Sequence, residues 1–228
     1  MERFGFVGLP NAGKSSLYNA LAGGGALAAP YAFATTDPNE GVARVPDSRL
    51  SLLGEMSNSK KIVPATIQFT DIGGLVEGAA KGEGLGNRFL AGIREVDAIV
   101  FVLRAFSDSD VPGPTDPVEN LRIVEVELAL ADLETTQKQL SKIEKAARAD
   151  KSIGQILDSL KHASEQLDEG VPIYKSDLTS EERELLSDFF LLTDKPVLAV
   201  VNMGEDQVEE TNQILEPVIA ELSGQEVI

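Results

Sequence analysis

Gly8-Leu9-Pro10-Asn11-Ala12-Gly13-Lys14-Ser15 is the stretch whose reading decides the fold. It has the spacing G-x-x-x-x-G-K-[ST], and its flanks agree with it. Arg3-Phe4-Gly5-Phe6-Val7, just before, is a short apolar run that reads as a buried strand. Ser16 to Ala22, just after, reads as a helix with Leu17 and Leu21 on one face. A strand, a glycine loop and a helix in that order make a phosphate cradle, because loop N–H groups and the positive end of the helix dipole converge on one anion. In such a loop Gly13 keeps the backbone close to the phosphates. Lys14 supplies a point charge to the outer oxygens, and Ser15 offers its hydroxyl to Mg²⁺. The competing reading, a glycine-rich turn before an ordinary helix, makes position, flanks and spacing a coincidence.

Composition narrows the possible partners. The 228 residues carry a formal charge of −17 and a sequence pI near 4.4. A field of that sign repels a bare polyanion, so sequence-specific DNA binding is not expected, though a local basic face can still hold RNA. Cysteine is absent, which leaves no disulfide, thiolate metal site or catalytic thiol. No uninterrupted apolar run approaches the ~20 residues that cross a bilayer. The chain enters a strand at once, without a signal-peptide core. The expectation is a soluble, cytoplasmic protein with no membrane contact.

Working outward from the cradle, residues 23–39 are small and lack a helical pattern, so they read as a mobile loop. In phosphate-loop switch proteins a loop at this place carries a threonine that reaches Mg²⁺ and the γ-phosphate. Thr35 and Thr36 are the candidates. Gly41 to Val45 reads as an edge strand and Ser48 to Met56 as a short helix. Ala65 to Thr70 alternates into a strand that ends at Asp71-Ile72-Gly73-Gly74. A carboxylate at a strand's end, followed by glycines, holds Mg²⁺ directly or through water, and the Gly74 amide senses the γ-phosphate. The residue after Gly74 is Leu75. Ras-type enzymes carry a glutamine there to orient the attacking water. Leucine cannot do this, so hydrolysis must be slow or rely on another group, an ion or a partner. Five glycines between 74 and 86 make Leu75 to Leu90 read as a second mobile segment.

Ala98 to Leu103 is wholly apolar, as a central parallel strand should be. Arg104 to Asp116 is a loop. From Pro117 to Ala149 glycine and internal proline vanish, and Val126, Leu130, Leu133, Leu140 and Ile143 recur at three- and four-residue steps. A helix of ~33 residues would be about 50 Å long. Ile153, Ile156, Leu157, Leu160 and Leu167 make a second helix, the two suiting an antiparallel, coiled-coil-like hairpin. Thr179 and Glu182 form a capping box that starts a third helix through Phe190. The expected organisation is an α/β nucleotide-binding domain from residues 1–116 and 191–228, interrupted by a helical insertion over 117–190. Its sheet is mostly parallel and flanked by helices. Lys138, Lys142, Lys145, Arg148 and Lys151 make a basic stripe on the hairpin. That stripe is either a solvated face or a contact for RNA or an acidic partner.

Pro196 to Val201 returns as a buried strand ending at Asn202-Met203-Gly204-Glu205. An amphipathic helix to Leu222 and a final strand from Gly224 follow. GTPases read guanine with N-K-x-D after this strand. Here the lysine is replaced by Met203, which removes its cover over the base, and Glu205 extends the carboxylate by one methylene. Guanine selectivity should suffer, because discrimination depends on meeting buried donors with acceptors. Physics alone does not turn that into adenine selectivity.

GLPNAGKSSLYNAL, YAFATTDPN, DIGGLVEGAAKGEGLGNRFL and NMGE, in this order with a helical insertion before the last, resemble the YchF/Obg-like ATPase family of TRAFAC-class P-loop proteins. The resemblance covers nearly the whole chain, and the glycine-rich run after DIGG is its most specific part. It implies binding of ATP in preference to GTP, slow hydrolysis and ribosome association. By motif position it implies phosphate and Mg²⁺ contacts from Asn11, Ala12, Gly13, Lys14, Ser15 and Ser16. Thr35 would be the switch threonine and a metal ligand, Asp71 the metal carboxylate, Gly74 the γ-phosphate sensor, and Asn202, Met203 and Glu205 the base readers. In several P-loop switch proteins lacking the Ras-type glutamine, an asparagine at the place of Asn11 helps hold K⁺ beside the phosphates; the other reading is that Asn11 only hydrogen-bonds the loop backbone. The alternatives are an Obg-type GTPase, or a nucleotide-controlled binding module with negligible hydrolysis. Two departures stand out. Relatives continue into a motif that finishes the base pocket and a small C-terminal TGS domain, which makes this chain read as a fragment. Relatives also often carry a histidine soon after their R-x-F segment. Here Arg104-Ala105-Phe106 is followed by Ser107 to Pro112 without one, and His162 reads as a surface helix residue.

Overall fold

The computed structural model describes residues 1–23, 40–71, 85–147, 153–222 and 225–228. Its strands are β1 (Arg3–Val7), β2 (Glu40–Arg44), β3 (Thr66–Asp71), β4 (Ala98–Arg104), β5 (Val197–Asn202) and β6 (Glu226–Val227). They form one sheet in the order β2-β3-β1-β4-β5-β6, parallel except for β2 against β3. The helices are α1 (Lys14–Gly23), α2 (Ser48–Met56), α3 (Leu85–Glu95), α4 (Pro117–Ala147), α5 (Gly154–Asp168), α6 (Ser180–Leu186) and α7 (Thr211–Glu221).

The apolar run of β4 is covered on both faces. Ile99, Phe101 and Leu103 point into a core shared with α3, α4 and α7, while Val100 and Val102 join Phe6 and Phe69 in a second layer packed by Leu17 and Tyr18 of α1. That is the two-residue alternation of a strand buried between helices. The parallel strands end together at one edge of the sheet, and the Gly8–Ser15 loop leaves β1 at that edge.

α4 does two jobs with one helix. Leu121, Val124, Leu128 and Ala131 belong to the sheet core. Ala129, with partly buried Leu133, Leu140 and Ile143, packs instead with Leu160, Ala163 and Leu167 of α5 and with Ile173, Leu178, Leu186 and Leu191. The helical hairpin is thus rooted in the sheet domain by its own first arm. This corrects the seam expected from the sequence: Val126 and Leu130 are 49% and 39% exposed. One periodic run here is two overlapping faces, because the helix serves as crossover below and hairpin arm above. Asp132 of α4, fully buried, ties the arm to the chain returning toward β5. Its carboxylate accepts from Leu192 N (2.8 Å), Thr193 N (2.7 Å) and Thr193 Oγ1 (2.8 Å).

Three other expectations shift. Residues 85–90 belong to α3 rather than to a mobile segment, since Leu90 and Ile93, three apart, are anchored in the sheet core. The 72–84 part of that segment lies outside the described residues. The helix begun by the Thr179–Glu182 capping box stops at Leu186, and a tight turn (Ser187–Phe189) leads to Phe190 in the left-handed region, φ 51°. His162 is half-buried: Nδ1 lies 2.9 Å from Glu182 Oε1, and Nε2 2.9 Å from Asp177 Oδ1. The Glu182 and Asp177 carboxylates raise its pKa.

Candidate nucleotide site

The loop is shaped by backbone demands that its sequence meets. A Cβ on Gly8 would sit 2.3 Å from the Val102 carbonyl oxygen, so β1 and β4 can converge there only at glycine. Asn11 and Gly13 take positive φ, 62° and 98°. Asparagine tolerates that region and glycine has no penalty in it. A Cβ on Gly13 would also reach within 2.2 Å of Asn202 Nδ2. The chain then turns into α1, where Leu17 N donates to Gly13 O at 2.9 Å. Lys14 is folded into the loop, 6% exposed, with Nζ donating to Gly8 O (3.0 Å) and Leu9 O (2.8 Å).

A cavity of about 380 Å³ opens above this loop. Its floor is Asn11, Gly13, Lys14, Ser15 and Ser16, and its far wall is Phe106, Val111 and Asn202. Six sequence-predicted residues therefore meet in one place. Ala12 is fully buried beneath them and gives its carbonyl to Asn202 Nδ2 at 3.1 Å. Met203 is half-buried against the sheet core, and Glu205 is exposed at the start of the Glu205–Glu210 turn. Neither lines the cavity. Thr35, Thr36, Gly74 and Leu75 lie outside the described residues. Asp71 ends β3 opposite Phe6 of β1, at the sheet edge from which the loop departs. Ser15, on the cavity floor, presents a hydroxyl of the kind an oxygen-loving cation such as Mg²⁺ takes as a ligand.

The far wall is held by a residue that motif reading passed over. Arg104, 2% exposed, ends β4 and donates to three carbonyls: Phe106 O (3.1 Å), Val111 O (2.9 Å) and Pro112 O (3.1 Å). Its guanidinium also lies over the Phe106 ring, 4.4 Å from the centroid. Asn11 Nδ2 donates to Pro112 O at 3.3 Å, which joins the phosphate loop to this bracket. The signal was available: an arginine closing an otherwise apolar central strand must find acceptors inside the fold.

Residues 3–203 match the model of a family described as 50S ribosome-binding GTPase. Among curated relatives, the ribosome-binding ATPase YchF of Bacillus subtilis is 46% identical, the match covering 90% of this chain and 57% of that one. The protein of the same name from Haemophilus ducreyi is 42% identical, over 98% of this chain and 63% of that one. The solved structure of the Schizosaccharomyces pombe YchF GTPase superposes with a TM-score of 0.82 at 34% identity, covering all of this chain and 64% of that one. The chain thus spans about three fifths of the length of the relatives it matches. Loop, sheet order, hairpin and sequence agree, and the chain belongs to the 50S ribosome-binding GTPase family, in its YchF branch.

Proposed function

We propose that this chain is an ATP-binding switch that hydrolyses the β–γ bond slowly and works in association with the ribosome. The observation that carries the reading is the cavity in which Lys14, Ser15 and Ser16 face Phe106 and Asn202. It offers a charged, amide-lined end for phosphates and a flatter end with an aromatic ring for a nucleoside. Backbone N–H groups from Gly13 onward and the α1 dipole hold the phosphates, and Lys14 shares its ammonium between loop carbonyls and the outer oxygens. Ser15 with Asp71, and Thr35, would hold Mg²⁺, which when bound neutralises charge on the transferring phosphate. Gly74 would register the γ-phosphate through its amide. Asn202 would meet the base from the cavity wall, and Met203 and Glu205 would complete its frame from outside the present cavity. The preference for ATP over GTP rests on the resemblance of the NMGE tetrapeptide to the YchF relatives, guanine having lost its usual readers.

The exposed Lys142 and Lys145 on α4, together with Lys138, which pairs with Glu134 at 2.5 Å, supply a cationic face for ribosomal RNA. Among the described residues no helix is long and apolar enough to cross a membrane, and we infer that the protein works in the cytoplasm. The relatives carry both ATPase and GTPase in their names, so the base is the point to test. Competitive titration of ATP against GTP, with phosphate release followed with and without ribosomes, decides it. Equal or tighter GTP binding would replace the reading with an Obg-type GTPase. Leu75, which cannot orient water, favours a second reading: a binding module set by nucleotide without turnover. ATP binding with no phosphate release even on ribosomes would establish it.

A further inference from the structure

Two segments must stay in register for the nucleoside end of the cavity to exist: Arg104-Ala105-Phe106 at the end of β4, and Asn202-Met203-Gly204-Glu205 at the end of β5. Their first tie is backbone. Ala105 N and Phe106 N both donate to Asn202 O, at 2.8 and 3.1 Å. Beyond that point the strands have ended, and no ladder holds the chains together. Gln207 takes over. Its Oε1 accepts from Gly204 N at 2.8 Å, and its Nε2 donates to Ala105 O at 3.1 Å, across 102 positions of sequence. The same residue's backbone N donates to Gly204 O at 3.0 Å, which fixes the stem from which the side chain reaches. One half-buried amide thereby satisfies a backbone donor on one segment and a backbone acceptor on the other. A primary amide of this length does both, whereas a carboxylate has no donor and an ammonium no acceptor.

We propose that Gln207 is a positioning residue for nucleoside recognition, setting the distance between the Phe106 and Asn202 walls of the cavity by tying Ala105, next to the first, to Gly204, two residues after the second. This rests on the reading of Asn202 to Glu205 as the base end of the site. Gln207 does not line the cavity and is no catalytic residue. It acts through the two segments it joins. The phosphate end depends on it less, because Gly8 to Ser16 is held by β1 and α1, and its ties to the other end run through Asn202 at the end of β5 and Asn11 to Pro112 O rather than through Gln207.

The test compares ATP, GTP and inorganic tripolyphosphate, each with Mg²⁺, on the same protein. Gln207→Met keeps the length and loses both hydrogen bonds, whereas Gln207→Glu keeps an acceptor for Gly204 and sets a carboxylate against Ala105 O. The expected result is about tenfold weaker ATP binding in Gln207→Met, a smaller loss in Gln207→Glu, and tripolyphosphate affinity unchanged in both. Thermal melting of each variant checks that the fold is kept. Unchanged ATP affinity in Gln207→Met, or equal losses for ATP and tripolyphosphate, would overturn the proposal while leaving the base-end reading intact. If the unaltered protein binds ATP no more tightly than tripolyphosphate, the base-end reading itself fails, and the proposal with it.

Discussion

The phosphate end of the cavity is contiguous: Asn11 and Gly13 to Ser16 run from the turn after β1 into the first turn of α1. The nucleoside end brings Phe106 and Val111 from the loop after β4 against Asn202 from the end of β5, with the whole helical hairpin between them in sequence. The first end needs local backbone geometry alone, which glycine and asparagine supply at fixed spacing. The second needs long-range ties, which Arg104, Asn202 and Gln207 supply. An end built locally should fail in binding without unfolding, and an end built from distant segments should fail in stability and selectivity together.

The sharpest separation is expected from Lys14→Ala. Its ammonium meets loop carbonyls and the cavity rather than the apolar core, so the fold should persist. Removing a desolvated cation from a phosphate site costs several kcal/mol, so ATP and tripolyphosphate should both bind at least about 100-fold more weakly. Isothermal titration with parallel melting reads it. Normal ATP binding by this variant would overturn the cradle.

Arg104→Leu should behave in the opposite way. It leaves three carbonyls of the 106–112 bracket without their shared donor and takes the cation from the Phe106 ring. A loss of about 3 kcal/mol of stability is expected. ATP affinity should fall more than tripolyphosphate affinity in whatever fraction stays folded. A variant as stable as the parent would show that the bracket is held by something else.

Asp132→Asn is the control that should touch neither end. It sits in the hairpin junction, and burial pushes its carboxyl from 3.8 up to about 6. A raised acid favours the native state when protonated. The stability it confers is therefore present below about pH 4 and lost as pH rises through about 6, by roughly 3 kcal/mol at most. Asparagine does not titrate, so the stability of the parent relative to Asp132→Asn should decline across that window. The ratio of ATP to tripolyphosphate affinity should be the same in both. A flat difference between pH 4 and 7 would mean that the three donors from Leu192 and Thr193 hold the carboxylate ionised throughout.

Legibility in the sequence follows the same divide. The loop at Gly8, strand β4 and the ends of β3 and β5 could be read from residues close together, because each is a local pattern with a local cause. The Val126 and Leu130 seam was misread because periodicity counts apolar residues without saying which of two neighbours they face. Arg104 could be flagged as a cation closing an apolar strand but not assigned to the site, and Gln207 was invisible, because their partners are backbone carbonyls and amides. Every sequence has those, and no motif marks them. Met203 and Glu205 were picked out by their place in a tetrapeptide, and the cavity stops at Asn202 just before them.

The smallest expected effect concerns the residue that touches both ends. Asn11 is in the phosphate loop, in a left-handed backbone conformation, and its amide nitrogen donates to Pro112 O in the Arg104 bracket. With the nitrogen turned toward Pro112, the side-chain oxygen is available to the cavity it lines. An amide oxygen beside a triphosphate suits a weakly hydrated monovalent cation, and with Leu75 unable to orient water, positive charge beside the phosphates is another way to lower the barrier. K⁺ is accordingly expected to accelerate ATP hydrolysis a few-fold over Na⁺, about 1 kcal/mol of barrier. Asn11→Ala should abolish the difference but also strain the backbone, since alanine disfavours positive φ. Asn11→Gly removes the amide without that strain and separates the two causes. Loss of the K⁺ preference in both variants, with ATP affinity kept in Asn11→Gly, assigns the cation to the side-chain oxygen. Equal rates in K⁺ and Na⁺ for the parent protein, at matched ionic strength, would leave Asn11 as a strut between loop and bracket and nothing more.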